Sequence, residues 1–524
     1  MKKRMTAVIL AFVLLLSLSG CKNLADVLED TSTQTDSSQV DKTTTKTSKS
    51  ANGDPISGGS MSIAVYGVDT LDPIFTKSES LQNAQKLVYE GLLSVDAQNN
   101  LSSNLAETYD ISEDGKTITF TLKQDIAFHD GHKLTAKDVD YTVNHIMSKD
   151  NPYSGAFAQI KSSYREGNYT YVFRLNSPNY GFLYHMDFPI LEEGSADNTT
   201  AIIPGTGPYA ISKEASQGDI VLKANTNWHG GKKPYINEVI LKYLPTRDTV
   251  TFALDAKEVN AVGSFAVDYL SYSPKANVNV EKMVSQNLCF LGINNQNGYL
   301  KNQLARWAIE ALINKDKLKR DVMLNKCSVT NLPLLPDAFY VNQDLNKSRY
   351  DVSRAKNIID MNILKEGSKN AAFTILVCST SAEKVKVAES ICNMLQTGGI
   401  PAVVNSVDYE TYKNRIASKN YDLFVGETEI SKDGDVSFLL SSGNWFGYQN
   451  TKMDDAIYQV KISRTADELK KAYDNLSELM IKECAFVPLY FKQSALLYDS
   501  RLKGKKTPSA FCYYRGLPNW FVSD

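Results

Sequence analysis

The chain has 524 residues, of which 43% are hydrophobic and 22% are charged, and its formal net charge is −2. A chain of this length and apolar content can bury a large core and should divide into more than one domain. The near-neutral charge argues against a nucleic-acid-binding protein, because such a protein needs a concentrated basic face.

The first 21 residues have the three parts of a bacterial export signal. Lys2, Lys3 and Arg4 precede an apolar run over residues 7–18 that is too short to span a bilayer comfortably, and small residues then lead to Cys21. This ending resembles the lipobox of lipoproteins, which implies cleavage before Cys21 and a lipid on it; a secretory signal with an incidental cysteine is the alternative. No later stretch is long and apolar enough to span a membrane, so we expect a protein anchored at one end on the outer side of the membrane.

Residues 22–58 are predicted to be a disordered tether. Thr, Ser, Lys, Asp and Gln dominate this segment, which has too little apolar surface to support a core. The Gly58-Gly59 pair marks the start of folded structure, and residues 61–66 then alternate as a first strand. Residues 81–93 have the apolar spacing of an amphipathic helix.

The pair Asp114-Gly115 predicts a tight hairpin, because glycine accepts the positive φ that such turns demand. Beyond it, threonines alternate with Ile118, Phe120 and Leu122, which predicts a strand with one buried face. A second strand of this kind is predicted over residues 169–175.

A helix is predicted to begin after Thr135. Thr135 and Asp138 have the spacing of a capping box, in which the hydroxyl and the carboxylate satisfy free amides at a helix start. Val139, Val143 and Ile146 then give this helix its apolar stripe.

The second half of the chain alternates strands and helices. Because strand-helix-strand order favours parallel pairing, residues 373–425 are predicted to form an α/β lobe. The predicted elements are a turn into a strand at 205–209, a helix at 306–323, a strand at 373–377, a helix at 384–395, a strand at 403–404, a helix from 412, a strand at 422–425, a last helix at 465–482 and an extended segment at 487–490.

Six further cysteines are widely and irregularly spaced, without a CxxC pair: Cys289, Cys327, Cys378, Cys392, Cys484 and Cys512. An even number in an exported protein is compatible with disulfides. Apolar neighbours such as Leu288 and Phe290 suit buried free thiols equally well. The sequence therefore predicts no particular bridge.

Motifs for catalysis or cofactor binding are weak. Residues 205–210 (GTGPYA) match a loose dinucleotide fingerprint, but Pro208 and the β-like residues after it place the stretch in a strand rather than at a helix start. His129 and His132 are close in sequence, yet no third metal ligand lies nearby, and a turn histidine bonding its own loop is the simpler interpretation. No nucleophile with a base can be assembled, so we expect no enzyme, no cofactor and no metal.

Several stretches together resemble the family 5 extracellular solute-binding proteins, the peptide-binding components of bacterial ABC importers. They run in order over nearly all of the mature chain. The matching stretches are TLDP at 70–73, LVYEGLL at 87–93, LAE at 105–107, residues 112–123, FHDG at 128–131, TAKDV at 135–139, TGPY at 206–209, NxxWxGGKxP at 225–234, GIN at 292–294, RxAI at 306–309, INKD at 313–316, YDL at 421–423 and VPL at 487–489.

This resemblance implies an α/β fold of the large periplasmic-binding-protein type, with two lobes around a hinged ligand cleft and an extra subdomain. Closure of the lobes on a ligand gives a shape that a membrane permease recognises. The implied segments are 1–21 for the lipoprotein signal peptide, 22–58 for the tether, 59–78 with 201–285 and 486–524 for the first lobe, 79–200 for the inserted subdomain and 286–485 for the second lobe.

The resemblance also implies where a ligand lies. Tyr66 and Val68 correspond to an edge strand on which a bound peptide borrows main-chain hydrogen bonds, so that its sequence is read weakly. Ser431 stands where relatives have the aspartate that pairs with the ligand's amino terminus. The other candidate ligand-binding residues are Tyr409, Glu427, Glu429, Asp433, Asp435, Trp445 and Tyr448. For the acidic residues, a solvated surface loop is the alternative.

The predicted function is that of the substrate-binding lipoprotein of an ABC importer, a monomer that captures peptides outside the membrane and delivers them to permease subunits. One alternative is the same fold binding nickel, haem or a sugar. A metal would require histidines or carboxylates around the cleft, and a sugar would require stacked tryptophans. Another alternative is a surface enzyme or a signalling receptor, which the absence of a neighbouring permease and ATPase would favour.

Overall fold

The computed structural model describes residues 55–197, 202–214, 218–361 and 372–523. Its strands, in chain order, are β1 (Ser60–Tyr66), β2 (Leu93–Val95), β3 (Leu101–Ser103), β4 (Ala106–Ile111), β5 (Thr117–Leu122), β6 (Ile160–Glu166), β7 (Thr170–Leu175), β8 (Tyr209–Glu214), β9 (Ile220–Ala224), β10 (Glu238–Leu244), β11 (Ala261–Ser264), β12 (Val278–Ile293), β13 (Cys327–Val329), β14 (Phe373–Cys378), β15 (Ala402–Val407), β16 (Leu423–Glu429), β17 (Phe486–Asp499), β18 (Leu502–Lys503) and β19 (Phe521–Val522).

The α-helices are α1 (Glu79–Gln85), α2 (Ala136–Met147), α3 (Ser154–Phe157), α4 (Val250–Asp255), α5 (Ala266–Ser271), α6 (Gln303–Leu312), α7 (Lys315–Asp321), α8 (Val352–Asp360), α9 (Ala382–Thr397), α10 (Tyr409–Ala417), α11 (Ser437–Leu440), α12 (Thr451–Lys461) and α13 (Ala466–Glu483). Short 3-10 helices occupy Tyr180–His185, Arg247–Thr249 and Leu517–Asn519.

Two long antiparallel strands join the halves of an eleven-stranded mixed sheet. The strand order is β15-β14-β16-β12-β17-β11-β1-β10-β9-β8, and β13 also pairs with β17. Strand β12 has 16 residues and β17 has 14, and they pair from Val278 opposite Asp499 to Gly292 opposite Phe486. The β14-β16 group therefore lies on one side of this pair, and β1 with β8–β11 lies on the other.

The parallel pairing predicted for residues 373–425 is confirmed. Strand β14 pairs in parallel with both β15 and β16, and α9 connects β14 to β15. Four apolar side chains of β14 and α9 are fully buried in one core with β12: Ile375, Val377, Ile391 and Leu395. Leu376, on the other face of β14, is fully buried in the other large core. A strand covered in this way has no polar face to present, which explains its continuous apolar run.

The hairpin and the capped helix of the first half are also confirmed. Gly115 has φ +67° in the turn between β4 and β5, and β5 belongs to a separate four-stranded sheet, β4-β5-β7-β6. At the start of α2 the backbone N–H of Thr135 donates to Asp138 Oδ2 over 2.7 Å, and both halves of the capping box are present. Val139, Val143 and Ile146 are buried as predicted.

Two predicted helices are shorter than their apolar spacing indicated. The helix predicted over 81–93 is α1 and ends at Gln85, because the carbonyls of Leu87 and Val88 accept hydrogen bonds from Tyr209 and Gly207 instead of continuing a helix. The helix predicted over 306–323 is divided into α6 and α7, since the Asn314 side chain caps a new helix start. Long-range hydrogen bonds and a local cap thus override the periodicity.

The six cysteines from Cys289 to Cys512 are all free thiols, and five of them are buried. The predictions for the signal segment, Cys21 and most of the tether concern residues outside the described ranges. Within those ranges, no helix has the length and apolar character needed to cross a membrane.

We expect Gly292→Ala to lower the free energy of unfolding by about 1–3 kcal/mol, because a Cβ at this position of β12 would collide with the Phe424 ring in a packed core. Urea unfolding of the purified protein measures this. Gly155 in α3 is the control: nothing lies within 4 Å of an added Cβ there, so Gly155→Ala should be neutral or slightly stabilising. Equal stabilities for the two variants would contradict the packing at Gly292.

Candidate functional site

A cavity of about 590 Å³ lies where the two long strands lose their regular pairing. The register of β12 and β17 shifts between Val284, opposite Gln493, and Leu288, opposite Phe491. Residues 285–287 therefore bulge from the ladder, and all three line the cavity. The bulge thus forms part of the cavity wall at the junction of the sheet halves.

Glu429 enters the cavity as the last residue of β16. It lies opposite Asn287 of the bulge in the β12–β16 ladder, and Asn287 Nδ2 is 3.5 Å from Glu429 Oε1. The carboxyl end of a strand in a parallel α/β arrangement is a common place for ligand contacts, because side chains there leave the sheet and face the crevice.

One end of the cavity is acidic. Glu79 from α1 and Glu429 both line it, and among the described residues neither forms a salt bridge. Burial and then the Glu429 carboxylate raise the pKa of Glu79, which Arg247 partly offsets. Arg247 itself is held by Asp268, with Nε 2.7 Å from Oδ2. Glu79, Glu429 and Asp268 therefore outnumber the single cation, Arg247, at this end.

The other end carries two ammonium groups around one carboxylate. Lys86 Nζ is 3.1 Å from Asp187 Oδ2, and Lys432 Nζ contacts the other oxygen, Oδ1. Burial alone would raise the pKa of Asp187, but the two lysines outweigh it and hold that pKa well below its usual range. All three residues line the cavity, and this triad has a net charge of +1.

Much of the remaining lining is aromatic: Tyr89, Tyr153, Phe265, Phe511 and Tyr513 contribute to it. Gln85 is 4% exposed and donates from Nε2 to the Leu71 carbonyl, while its Oε1 has no partner in the described structure. The described lining includes no tryptophan. Such a wall offers stacking surfaces with a few hydrogen-bonding groups.

Three of the four predicted acidic residues lie against basic side chains within the protein. Glu427 is 2.8 Å from Lys492 Nζ and 3.0 Å from Lys384 Nζ. Asp433 is 3.3 Å from His185, and Asp435 is 3.5 Å from Lys461. Of the four, only Glu429 lines the large cavity in the described structure, whereas Asp433 and Asp435 line a separate smaller pocket.

The residues of the predicted edge strand lie elsewhere. The N–H of Tyr66 donates to Ser80 Oγ, and its carbonyl accepts from the hydroxyls of Ser78 and Ser80, so both groups have partners before any ligand binds. Its side chain lines a different cavity of about 310 Å³. Val68 is half-buried outside a strand and packs against the main core.

The predicted aromatic residues are likewise outside the described lining of the large cavity. Tyr409 is 57% exposed at the start of α10. Trp445 stacks on Phe290 with ring centroids 6.1 Å apart, and Tyr448 is buried in the core. By contrast, Ser431 does line the cavity, where its hydroxyl contacts Asp433.

Sequence reasoning missed Glu79, Lys86, Asp187, Arg247 and Lys432, which all line the cavity. Lys432 directly follows Ser431, which the resemblance had already placed at the ligand site, so its position in the chain could have identified it. The others belong to segments far apart in sequence, and no local pattern distinguishes them from solvated surface charges.

The histidines at 129 and 132 have different surroundings. His129 bonds the 205–207 segment through both ring nitrogens rather than its own loop. His132 Nδ1 is 2.7 Å from Glu192 and 3.1 Å from Asp130. Glu192, which is distant in sequence, therefore joins Asp130 and His132 in a group of three possible metal ligands. A protonated His132 offsets at most one of the two carboxylate charges, so the cluster of Asp130, His132 and Glu192 is partly exposed and keeps an acidic excess.

A polarised cavity at the junction of two halves of an α/β sheet is typical of two-lobed solute-binding proteins. Residues 100–449 match the family described as bacterial extracellular solute-binding proteins, family 5. The chain belongs to this family, and the fold and the family predicted from the sequence are confirmed.

Similar proteins align over most of their length. The oligopeptide-binding protein AppA of Bacillus subtilis is 22% identical, covering 97% of this chain and 97% of its own. The structure of AppA with a nonapeptide superposes with a TM-score of 0.60 at 19% identity, covering 90% of this chain and 100% of its own. The ABC transporter substrate-binding protein CtaP of Listeria monocytogenes has a TM-score of 0.71 at 19% identity, covering 89% and 100%.

We expect Lys492→Met to destabilise the protein by about 3–5 kcal/mol at neutral pH, because Glu383, whose side chain is 16% exposed, loses its ammonium partner and Glu427 loses one of its two. Lys492 is 6% exposed and bridges Glu427 and Glu383, and Lys384 remains as the partner of Glu427. Chemical unfolding measures the loss. Lys413→Met on exposed α10 is the control and should change stability by about 0.5 kcal/mol or less.

The loss should shrink in acid. Burial would raise the pKa of Glu427, but Lys492 and Lys384 outweigh it, so the folded pKa lies below the usual 4.5. The ion-pair stabilisation is therefore fully present above about pH 4.5 and is lost as the pH falls through the lower, folded value. A stability difference between wild type and Lys492→Met that is constant from neutral to acidic pH would contradict this.

Proposed function

We propose that this solute-binding protein takes peptides as its ligands and delivers them to the permease of an ABC importer. Its similarity to an oligopeptide-binding protein over nearly the full length supports a peptide ligand. The observation that carries the proposal most directly is the pair of cavity carboxylates, Glu79 and Glu429, which form no salt bridge within the described residues. We further propose that the protein is not an enzyme.

Glu429 is the acidic residue that best suits a peptide's amino terminus. Glu427 and Asp435 already have lysine partners and Asp433 lies against His185, whereas the described hydrogen-bond donor to Glu429 is the neutral amide of Asn287. An ammonium group loses hydration when it enters a cleft, and a charge-assisted hydrogen bond to a carboxylate offsets that cost. A bound ammonium group also reduces the electrostatic repulsion between Glu429 and Glu79.

The domain assignment fits this role. The first lobe (59–78, 201–285 and 486–524), the subdomain (79–200) and the second lobe (286–485) each contribute residues to the cavity lining. A ligand held between them favours the closed arrangement by its contacts with both sides. We propose that the permease recognises this closed, monomeric form.

We also propose that Cys21 carries a lipid that anchors the protein on the outer side of the membrane. The basic start, the short apolar run and the small residues before Cys21 support this. Residues 22–58 then act as a polar tether.

Glu429→Gln should weaken the binding of a peptide with a free amino terminus by about thirtyfold or more, since a charged partner in the cleft is lost. Peptides captured from a casein digest and identified by mass spectrometry supply the probe. Calorimetry then compares the free and the N-acetylated peptide.

Acetylation should weaken binding to the wild type but have little further effect on Glu429→Gln, because the two changes remove the same contact. Glu410→Gln on exposed α10 is the matched control and should bind like the wild type. If the digest yields no bound peptide, the peptide proposal is wrong. If peptides bind but acetylation and Glu429→Gln leave affinity within about threefold, only the amine contact is wrong.

Cys21→Ser should move the protein from the membrane fraction to the soluble fraction without changing its melting temperature, since the polar tether adds no core. Fractionation and a thermal melt are the measurements. Cys512→Ser, which leaves the proposed anchor intact, should stay with the membrane. Wild-type membrane retention of Cys21→Ser would contradict lipid anchoring.

A further inference from the structure

Three side chains within the proposed subdomain converge outside the large cavity. Asp130 and His132 belong to the turn at residues 128–132, and Glu192 follows His132 by 60 residues. A carboxylate oxygen of each acid and a ring nitrogen of the histidine all lie within 4.8 Å of one another. None of the three residues lines the large cavity, so this cluster is separate from the proposed peptide site.

His132 differs from the other paired histidines because it faces two carboxylates. Its Nδ1 is 2.7 Å from Glu192 Oε1 and 3.1 Å from Asp130 Oδ2. A ring nitrogen carries at most one proton, so it satisfies only one of these two oxygens well. The other described histidines that lie against an acid each have one carboxylate partner: His145, His185 and His229. The arrangement at His132 therefore has one acceptor more than a simple ion pair needs.

The cluster keeps an excess of negative charge even when His132 is protonated. Among the described residues, no lysine or arginine nitrogen lies within 4.0 Å of the Asp130 or Glu192 carboxylate. The N–H of Glu193 donates to Asp138 Oδ1 over 2.9 Å, which places a third carboxylate near Glu192. The Glu192 side chain is only 15% exposed, so water screens its charge less than at an open surface. A cation is the group that balances such charges.

The backbone on both sides of the cluster is held in place. In the turn, the N–H of Phe128 donates to the His132 carbonyl over 2.8 Å. The N–H of His132 donates to Asp130 Oδ1 over 3.0 Å, which leaves Asp130 Oδ2 for the cluster. On the other side, the N–H of Leu191 donates to Thr142 Oγ1 of α2 over 2.9 Å. Two fixed segments thus present the three side chains, which lowers the entropy cost of binding a ligand between them.

The distances and the donor atoms suit a divalent transition-metal ion. Zinc binds imidazole nitrogen at about 2.0–2.1 Å and carboxylate oxygen at about 2.0–2.2 Å, so neighbouring ligand atoms are about 3.0–3.4 Å apart. The 3.1 Å between His132 and Asp130 lies in this range, and the 2.7 Å between His132 and Glu192 has to lengthen by about 0.3 Å. Mixed nitrogen and oxygen ligands favour zinc, nickel or copper, whereas Ca²⁺ and Mg²⁺ prefer oxygen alone.

We propose that Asp130, His132 and Glu192 form a binding site for a divalent first-row transition-metal ion, with zinc as the expected ion and water in the remaining coordination positions. The bound ion joins the turn at 128–132 to the segment at 190–193. The site is independent of the proposed peptide function. It also departs from the sequence-based expectation of no metal, because the third ligand is distant from the two histidines at 129 and 132 in the chain.

The test is a calorimetric titration of the untagged protein with zinc chloride, after EDTA treatment and dialysis into a buffer that does not chelate metals. The wild type should bind about one zinc ion per chain, and Ca²⁺ and Mg²⁺ should bind at least about tenfold more weakly. Hydrogen exchange read by mass spectrometry locates the ion. Zinc should slow exchange by about threefold or more in peptides that cover 128–132 and in peptides that cover 190–193.

Three single variants remove one ligand each: Asp130→Asn, His132→Ala and Glu192→Gln. Each should weaken zinc binding by about tenfold or more, since even residues that only support a metal ligand contribute about that much. Asp125→Asn is the matched control, because Asp125 has an exposed carboxylate close to the same turn and pairs with Lys133. It should bind zinc like the wild type. Melting temperatures of the metal-free variants close to that of the wild type show that they are folded.

Two results would overturn the proposal. Zinc binding that stays within about threefold of the wild type in all three variants would place the ion elsewhere on the protein. A wild type that binds no zinc at about 1 mM would leave the cluster as carboxylates around a protonated histidine. Neither result bears on peptide binding, since the two sites share no residue.

Discussion

The antiparallel pairing of β12 with β17 is the constraint on which the rest of the structure depends. These two strands are the connection between the halves of the large sheet, and they pair on both sides of the irregularity between Val284 and Leu288. At that irregularity residues 285–287 leave the ladder and form part of the cavity lining. The same feature therefore lies between the two halves of the sheet and forms part of the cavity in which we propose that a ligand binds.

Charges near this junction have two distinct roles. Lys492 is buried on β17 and holds Glu427 and Glu383, so its carboxylate partners belong to the framework. Glu429, two residues beyond Glu427, reaches the cavity without a cationic partner among the described residues. A buried charge needs a partner, whereas a charge in an open cleft remains hydrated until a ligand displaces the water. The partner, rather than the residue type, thus decides which glutamates can bind a ligand.

Local structure was predictable where the stabilising contacts join residues that are close together in sequence. The capping box of Thr135 and Asp138 and the turn at Gly115 depend on contacts within a few residues, and both occur as expected. The end of α1 was not predictable in this way. Leu87 and Val88 have the apolar spacing of a helix, but their carbonyls bond to a segment about 120 residues away. Periodicity indicates which side chains are buried and does not identify the partner of each backbone group.

The sequence by itself determined the family, the α/β class, the strand-helix order and the region that contains Glu429. Motifs and hydrophobic periodicity depend on residues that are close together in the chain, so both can be recognised without a structure. Only the tertiary structure decided which charges face the cavity. Lys86, Asp187 and Lys432 come from three distant segments and form one cluster, while Asp433 and Asp435, close to Lys432 in sequence, pair with other residues. Electrostatic interaction depends on distance and burial in space, and neither can be read from positions along the chain.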